Sequence, residues 1–179
     1  MRCFVAIRPP PEVLDALAEL PRPATDGLRW STRDQWHVTL RFFGDLSPAD
    51  LIAASQALAL VVGRLAPPVD ASGGPTTRFL GPGLVVWPVE GLANVARAVE
   101  QATAGTGQAP ADRKFRGHLT IGRGRRGTDL RKARQLLAPL AMAWPVGSLS
   151  LVESRLGPAG AKYTVIQELP FGGPRPPRP

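Results

Sequence analysis

Hydrophobic residues along this chain fall into short runs separated by Pro and Gly, and the spacing within each run predicts its element. Arg2–Ile7 (RCFVAI) is a nearly continuous apolar run, the pattern of a buried strand, and Pro9-Pro10-Pro11 ends it. Pro11-Glu12 then opens a helix, with Pro early, an acid in the first turn, and apolar residues at Val13, Leu14, Leu17 and Leu20. Pro21 to Gly27 reads as a loop, Leu28 to Trp30 as a short strand, and Ser31 to Gln35 as a polar turn. A strand is expected from Trp36 to Phe43, with Gly44 as its stop. Ser47-Pro48-Ala49-Asp50 starts a helix that runs to about Val62, with Ser as the cap.

Strand-like pieces follow at Val69 to Ser72, Thr76 to Leu80 and Leu84 to Val89. Gly91 to Thr103 has helical spacing at Leu92, Val95, Ala96 and Val99. His118 to Arg123 is a further strand, and Thr128 to Leu137 a helix capped by Thr128. Strands at Leu149 to Ser154 and Lys162 to Leu169 form a hairpin around Gly157-Pro158-Ala159-Gly160.

That order gives an α+β fold. The strands at 36–43 and 118–123 are each followed, after a short loop, by a helix, which is a weak internal repeat and implies two lobes related by approximate two-fold symmetry. Neither lobe looks independent, because the strands before Leu28 and after Leu149 must pair somewhere. The expectation is one bilobal domain over residues 1–171 and a disordered Pro- and Arg-rich tail over 172–179.

Composition changes this picture in three ways. With 22 Lys and Arg against 14 Asp and Glu, the net charge of +8 suits an anionic partner, although solubility alone would also account for it. The single cysteine, Cys3, excludes an internal disulfide, and two histidines leave no set for a Cys/His zinc cluster. No apolar run approaches the ~20 residues of a membrane span. The run before Pro9 is too short for a secretory signal, so the expected compartment is the cytoplasm and the expected state a monomer.

Both histidines of the chain sit in the same pattern, His37-Val38-Thr39-Leu40 and His118-Leu119-Thr120-Ile121, 81 positions apart. With 10 threonines among 179 residues, two histidines would both have Thr at +2 by chance with probability roughly 0.003. In a strand, alternate side chains share a face, so His37 pairs with Thr39, and His118 with Thr120, away from the apolar neighbours. Imidazole exchanges a proton near neutrality, and a hydroxyl beside it can donate to an anion. Two such units facing each other would supply an acid, a base and two donors around one phosphate; two amphipathic strands with a polar face are the plain alternative.

With both motifs in view, the sequence resembles the 2H phosphoesterase superfamily, and within it the bacterial and archaeal RNA 2′,3′-cyclic phosphodiesterases, also called RNA 2′,5′-ligases. The similar text is R-C-F-V-A-I-R-P-P-P-E-V at 2–13, H-V-T-L-R-F-F-G at 37–44, H-L-T-I-G-R at 118–123 and E-S-R-L-G-P-A-G-A-K-Y at 153–163. Two departures, Gly117 where the family often has Pro and Arg8 where it commonly has an acidic or neutral residue, bear on substrate preference.

The resemblance implies a central cleft between two lobes of antiparallel sheet with flanking helices. It implies metal- and cofactor-free hydrolysis of a ribose 2′,3′-cyclic phosphate to a 2′-phosphate, with reversible 2′-5′ ligation as a further capacity. By analogy His37 is the acid to the 3′ oxygen and His118 the base for water. Thr39, Thr120 and Arg123 would bind phosphate. Arg123 lies an odd number of residues from His118, so the strand end or Gly122 must redirect it. Arg41 shares the His37 face by parity and is a candidate nucleotide contact or a rim ion pair. Phe42 is a candidate base contact, although its parity with Val38 and Leu40 equally suits the core. Between 113 and 134 there are nine Lys or Arg and one acid, Asp129, a border suited to an RNA backbone or to a solvated helix face. Trp30, Trp36, Trp87 and Trp144 read as core. The alternative functions are a 2H phosphoesterase acting on another cyclic or ADP-ribose-derived phosphate, and a catalytically silent RNA-binding module.

Overall fold

The structure, a computed structural model, describes residues 1–65, 69–81, 83–110, 112–125, 127–130, 138–157 and 160–172. Its elements in chain order are β1 (Arg2–Ile7), α1 (Pro11–Ala18), β2 (Leu28–Trp30), a 3₁₀ turn (Arg33–Gln35), β3 (Val38–Asp45), α2 (Pro48–Arg64), β4 (Val69–Gly73), β5 (Arg78–Leu80), β6 (Leu84–Glu90), α3 (Ala93–Ala102), β7 (His118–Gly124), β8 (Met142–Val146), β9 (Ser148–Gly157) and β10 (Gly160–Pro170). Most lie where the hydrophobic pattern places them. Ser47 caps α2 through a reciprocal pair with Asp50, its hydroxyl accepting from the Asp50 N–H at 3.1 Å.

Two expectations meet a different structure. The first motif strand begins at Val38, so His37 stands just ahead of it, and Gly44 does not stop it: the strand passes through Gly44, at φ 72°, to Asp45. β8 falls in a stretch to which the hydrophobic pattern assigned no element, and it carries Pro145. β8 lies at the end of the sheet, where a missing N–H costs no ladder bond, and Trp144 and Val146 face inward from it. The helix expected over 128–137 lies mostly outside the described residues. Thr128, expected as its cap, donates its hydroxyl to the Gly27 carbonyl at 3.1 Å. From residue 173 onward the expected tail also lies outside the described residues.

The strands follow one antiparallel path, β10-β9-β1-β3-β7-β6-β4-β8, with β2 added against β7 and β5 against β6. This is the α+β, two-lobed arrangement the order implied. The strands that needed partners find each other: β1 from the start of the chain pairs with β9 from its end. Buried side chains of both lobes join one core, in which Trp87 and Trp144 stack with ring centroids 5.9 Å apart. Gly73 makes room for that stack, since a Cβ there would lie 2.2 Å from the Trp87 ring.

The lobes meet across a thin seam. β3 and β7 share one register pair, Val38 with Leu119. These are the residues directly after the two histidines, so the two motifs cross antiparallel about a local two-fold. Carrying the register one residue each way sets His37 opposite Thr120 and Thr39 opposite His118.

Candidate active site

Each motif strand carries an irregularity that the sequence does not announce. Against β1, β3 pairs Thr39 with Ala6 and Arg41 with Val5, leaving Leu40 as an extra residue. Against β6, β7 pairs Thr120 with Val86 and Gly122 with Val85, leaving Ile121 as the extra residue. A bulge of one residue inverts the side-chain phase beyond it. The position five after each histidine, Phe42 in one strand and Arg123 in the other, therefore returns to the histidine's face. Parity counting turned both away.

A cavity of about 470 Å³ opens on that face, and His37, Thr39, Phe42, His118, Thr120 and Arg123 all line it. Arg41 does not reach this cavity, which corrects its expected face. The bulge sends its side chain to the core side, where it is 3% exposed. Its guanidinium donates to the Thr103 hydroxyl at 2.6 Å and to the carbonyls of Glu100, Thr106 and Gln108 at 3.1, 2.9 and 3.1 Å. Those acceptors hold its guanidinium away from this cavity, and Arg41 lines instead a second cavity that adjoins it.

The imidazoles are held alike. Nδ1 of His37 lies 2.8 Å from the Gln35 carbonyl, and Nδ1 of His118 lies 2.7 Å from the Arg116 carbonyl. A carbonyl only accepts, so each neutral ring carries its proton on Nδ1 and keeps the Nε2 lone pair for chemistry. Gln35 is itself fixed, its side-chain amide donating to the Ala161 carbonyl of β10 at 2.8 Å.

Their surroundings differ. His37 stacks on Phe4 at 4.6 Å between centroids and meets Tyr163 edge-on at 4.9 Å, above a small apolar cluster of Phe4, Ala6 and Val152. Burial disfavours its charged form and pushes its pKa down to about 4; the bond to Gln35 works the other way, and the positive charges of Arg123 and Arg8 depress it further. The resting His37 is thus a neutral imidazole at pH 7.

Sequence reasoning did not single out Phe4 and Tyr163 as part of this site. Phe4 sits in a run that reads as pure core, and Tyr163, though inside the similar text, carried no stated role. Arg2 was also missed; it lies over the Phe42 ring at 4.6 Å. Among the described residues there is no group of three or more His, Cys, Asp or Glu placed to hold a metal, and no helix long and apolar enough to cross a membrane. The arrangement can hold one tetrahedral anion between two imidazoles, two hydroxyls and a guanidinium.

Comparison with known proteins follows the same lines. The 2′-5′ RNA ligase superfamily matches residues 8–158. A Thermus thermophilus protein named RNA 2′,3′-cyclic phosphodiesterase is 30% identical over 192 residues, which cover 97% of this chain and 91% of that protein. The crystal structure of TT0787 of Thermus thermophilus has a TM-score of 0.79 at 26% identity and covers 98% of this chain and all of the other. E. coli LigT, crystallised with 3′-AMP, has a TM-score of 0.70 at 22% identity over 95% of this chain and 97% of its own, a likeness of fold alone.

Proposed function

The chain belongs to the 2′-5′ RNA ligase superfamily, and from that premise we propose that it opens ribose 2′,3′-cyclic phosphates at RNA ends by two-histidine acid/base catalysis. The observation that carries this reading is the Val38–Leu119 pair, which puts both His-x-Thr units on one cavity. Water attacks phosphorus as one imidazole takes its proton. The P–O3′ bond breaks as the other imidazole protonates the departing oxygen, leaving a 2′-phosphate and a 3′-hydroxyl. Thr39, Thr120 and Arg123 hold the non-bridging oxygens and meet the charge that builds on the phosphorane. With a 5′-hydroxyl in place of water the same geometry makes a 2′-5′ bond.

In the roles implied by the resemblance, His118 is the base and His37 the acid. His37 is neutral at rest, so as the acid it must gain its proton with the substrate. The phosphate's negative charge offsets Arg123 and Arg8, cations that help depress His37.

The test is turnover of 2′,3′-cyclic AMP in excess EDTA by the wild type, His37→Ala and His118→Ala. Accumulation of 2′-AMP, lost in both variants, is the expected result. Turnover that EDTA stops and metal restores would overturn the mechanism. Turnover only of an ADP-ribose cyclic phosphate would move the substrate class. RNA binding without turnover of any cyclic phosphate would leave a binding module.

A further inference from the structure

The cavity between the histidines continues into a second one of about 550 Å³, which shares Thr39, Phe42 and His118 with it. One wall of this second cavity is formed by residues 108–110 and 113–116. Arg113, Lys114 and Arg116 stand exposed along it, with Phe115 half-buried among them. Among the described residues none of these three cations is ion-paired. Attack on one terminal cyclic phosphate makes no use of them.

This wall is anchored at both ends. On one side Arg41 grips the carbonyls of Glu100, Thr106 and Gln108, and the Gln108 N–H donates to the Phe43 carbonyl at 2.7 Å. On the other side the Gly117 carbonyl accepts from the Val89 N–H at 2.9 Å. Gln108 is thus tied to β3 and Gly117 to β6, on either side of the basic residues. Half-buried Glu100 also lines the cavity, and its carboxylate tells against a site for free phosphate. It suits the N–H groups of a nucleobase, and Gln108 and Phe115 add an amide and an aromatic ring to the same lining.

Resting on the proposed function, we infer that the second cavity is a subsite for the nucleotide adjoining the cyclic end. The strand passes over His118, its internucleotide phosphate lies along Arg113, Lys114 and Arg116, and its base enters against Phe115. The substrate class is therefore an oligonucleotide, with cyclic mononucleotides as poor substitutes.

The test compares kcat/KM for ApA ending in a 2′,3′-cyclic phosphate with that for 2′,3′-cyclic AMP. Three proteins are used: the wild type, the double variant Arg113→Ala/Lys114→Ala, and Arg64→Ala as a control that removes one positive charge from the end of α2. The expected wild-type preference for the dinucleotide is about tenfold or more, shrinking as salt is added, as a phosphate contact requires. The double variant should bring the ratio to within about twofold of one, while Arg64→Ala keeps it. Equal wild-type rates on the two substrates, or a preference that survives in the double variant, overturns the subsite and leaves the activity standing. Failure of the wild type to turn over either substrate overturns the activity and the subsite with it.

Discussion

The strand after His37 and the strand after His118 are built to one plan and furnished differently. Both rings rest Nδ1 on a carbonyl two residues back, both have Thr at +2, and both strands bulge at +3 to bring +5 round to the cleft. The residues at +4 and +5 then diverge. In β3 they are Arg41, committed to the loop after α3, and the apolar ring of Phe42. In β7 they are Gly122, which packs under Leu28 and Trp30, and the cationic Arg123. One half gives the cleft an aromatic side around a neutral histidine and the other gives it a charged side. The backbone repeat supplies the two-fold placement of the motifs, and side chains outside them supply the asymmetry that acid and base roles require.

The most drastic way to break the comparison is to remove either ring. His37→Ala and His118→Ala should each lower kcat by ~10²–10⁴-fold, and the double variant should lose little more than the worse single one. The residual activity of His118→Ala then reports His37 by itself. If His37 is the acid, kcat/KM falls as pH rises above about 4; if it is the base, kcat/KM is flat above about 4 and falls below it.

Next is the environment of His37. Its folded pKa lies below the unfolded value, so between 6.5 and about 4 the unfolded chain binds more protons and stability rises with pH. The contribution is present in full above 6.5 and is lost as pH falls towards 4, amounting to up to about 3 kcal/mol. Urea unfolding at pH 4.5 and 7.5 should show this slope in the wild type and a weaker one in His37→Gln. An unchanged slope in His37→Gln would mean that the aromatic surround does not hold the ring neutral.

The +5 positions are expected to separate in kinetics. Arg123→Ala should cost ~10²-fold in kcat, the scale for one lost donor to developing charge, whereas Phe42→Ala should raise KM a few-fold with kcat nearly unchanged. The +4 positions should separate in stability. Arg41→Met strands buried acceptors and should cost about 2 kcal/mol. Gly122→Ala meets Leu28 and Trp30 at 3.1–3.3 Å, a crowding that should cost about 1 kcal/mol, read in the same denaturant titration.

The sequence by itself determined the element order, most strand and helix positions, the Ser47 cap and the two His-x-Thr units. These are local properties, written in the period of apolar residues and in turn chemistry. Tertiary structure decided what crosses between distant segments. Pairing of β1 with β3 and of β6 with β7 placed the bulges, and those bulges moved Arg41 out of the cleft and brought Phe42 and Arg123 into it, against the parity of the text. β8 became visible as a strand only through β4, because Pro145 is tolerated at an edge that local pattern cannot locate. The charge state of His37 depends on Phe4 from the first strand and Tyr163 from the last, which meet at the ring only in the fold. Desolvation sums over everything within reach of a group, and a linear pattern carries no record of that sum.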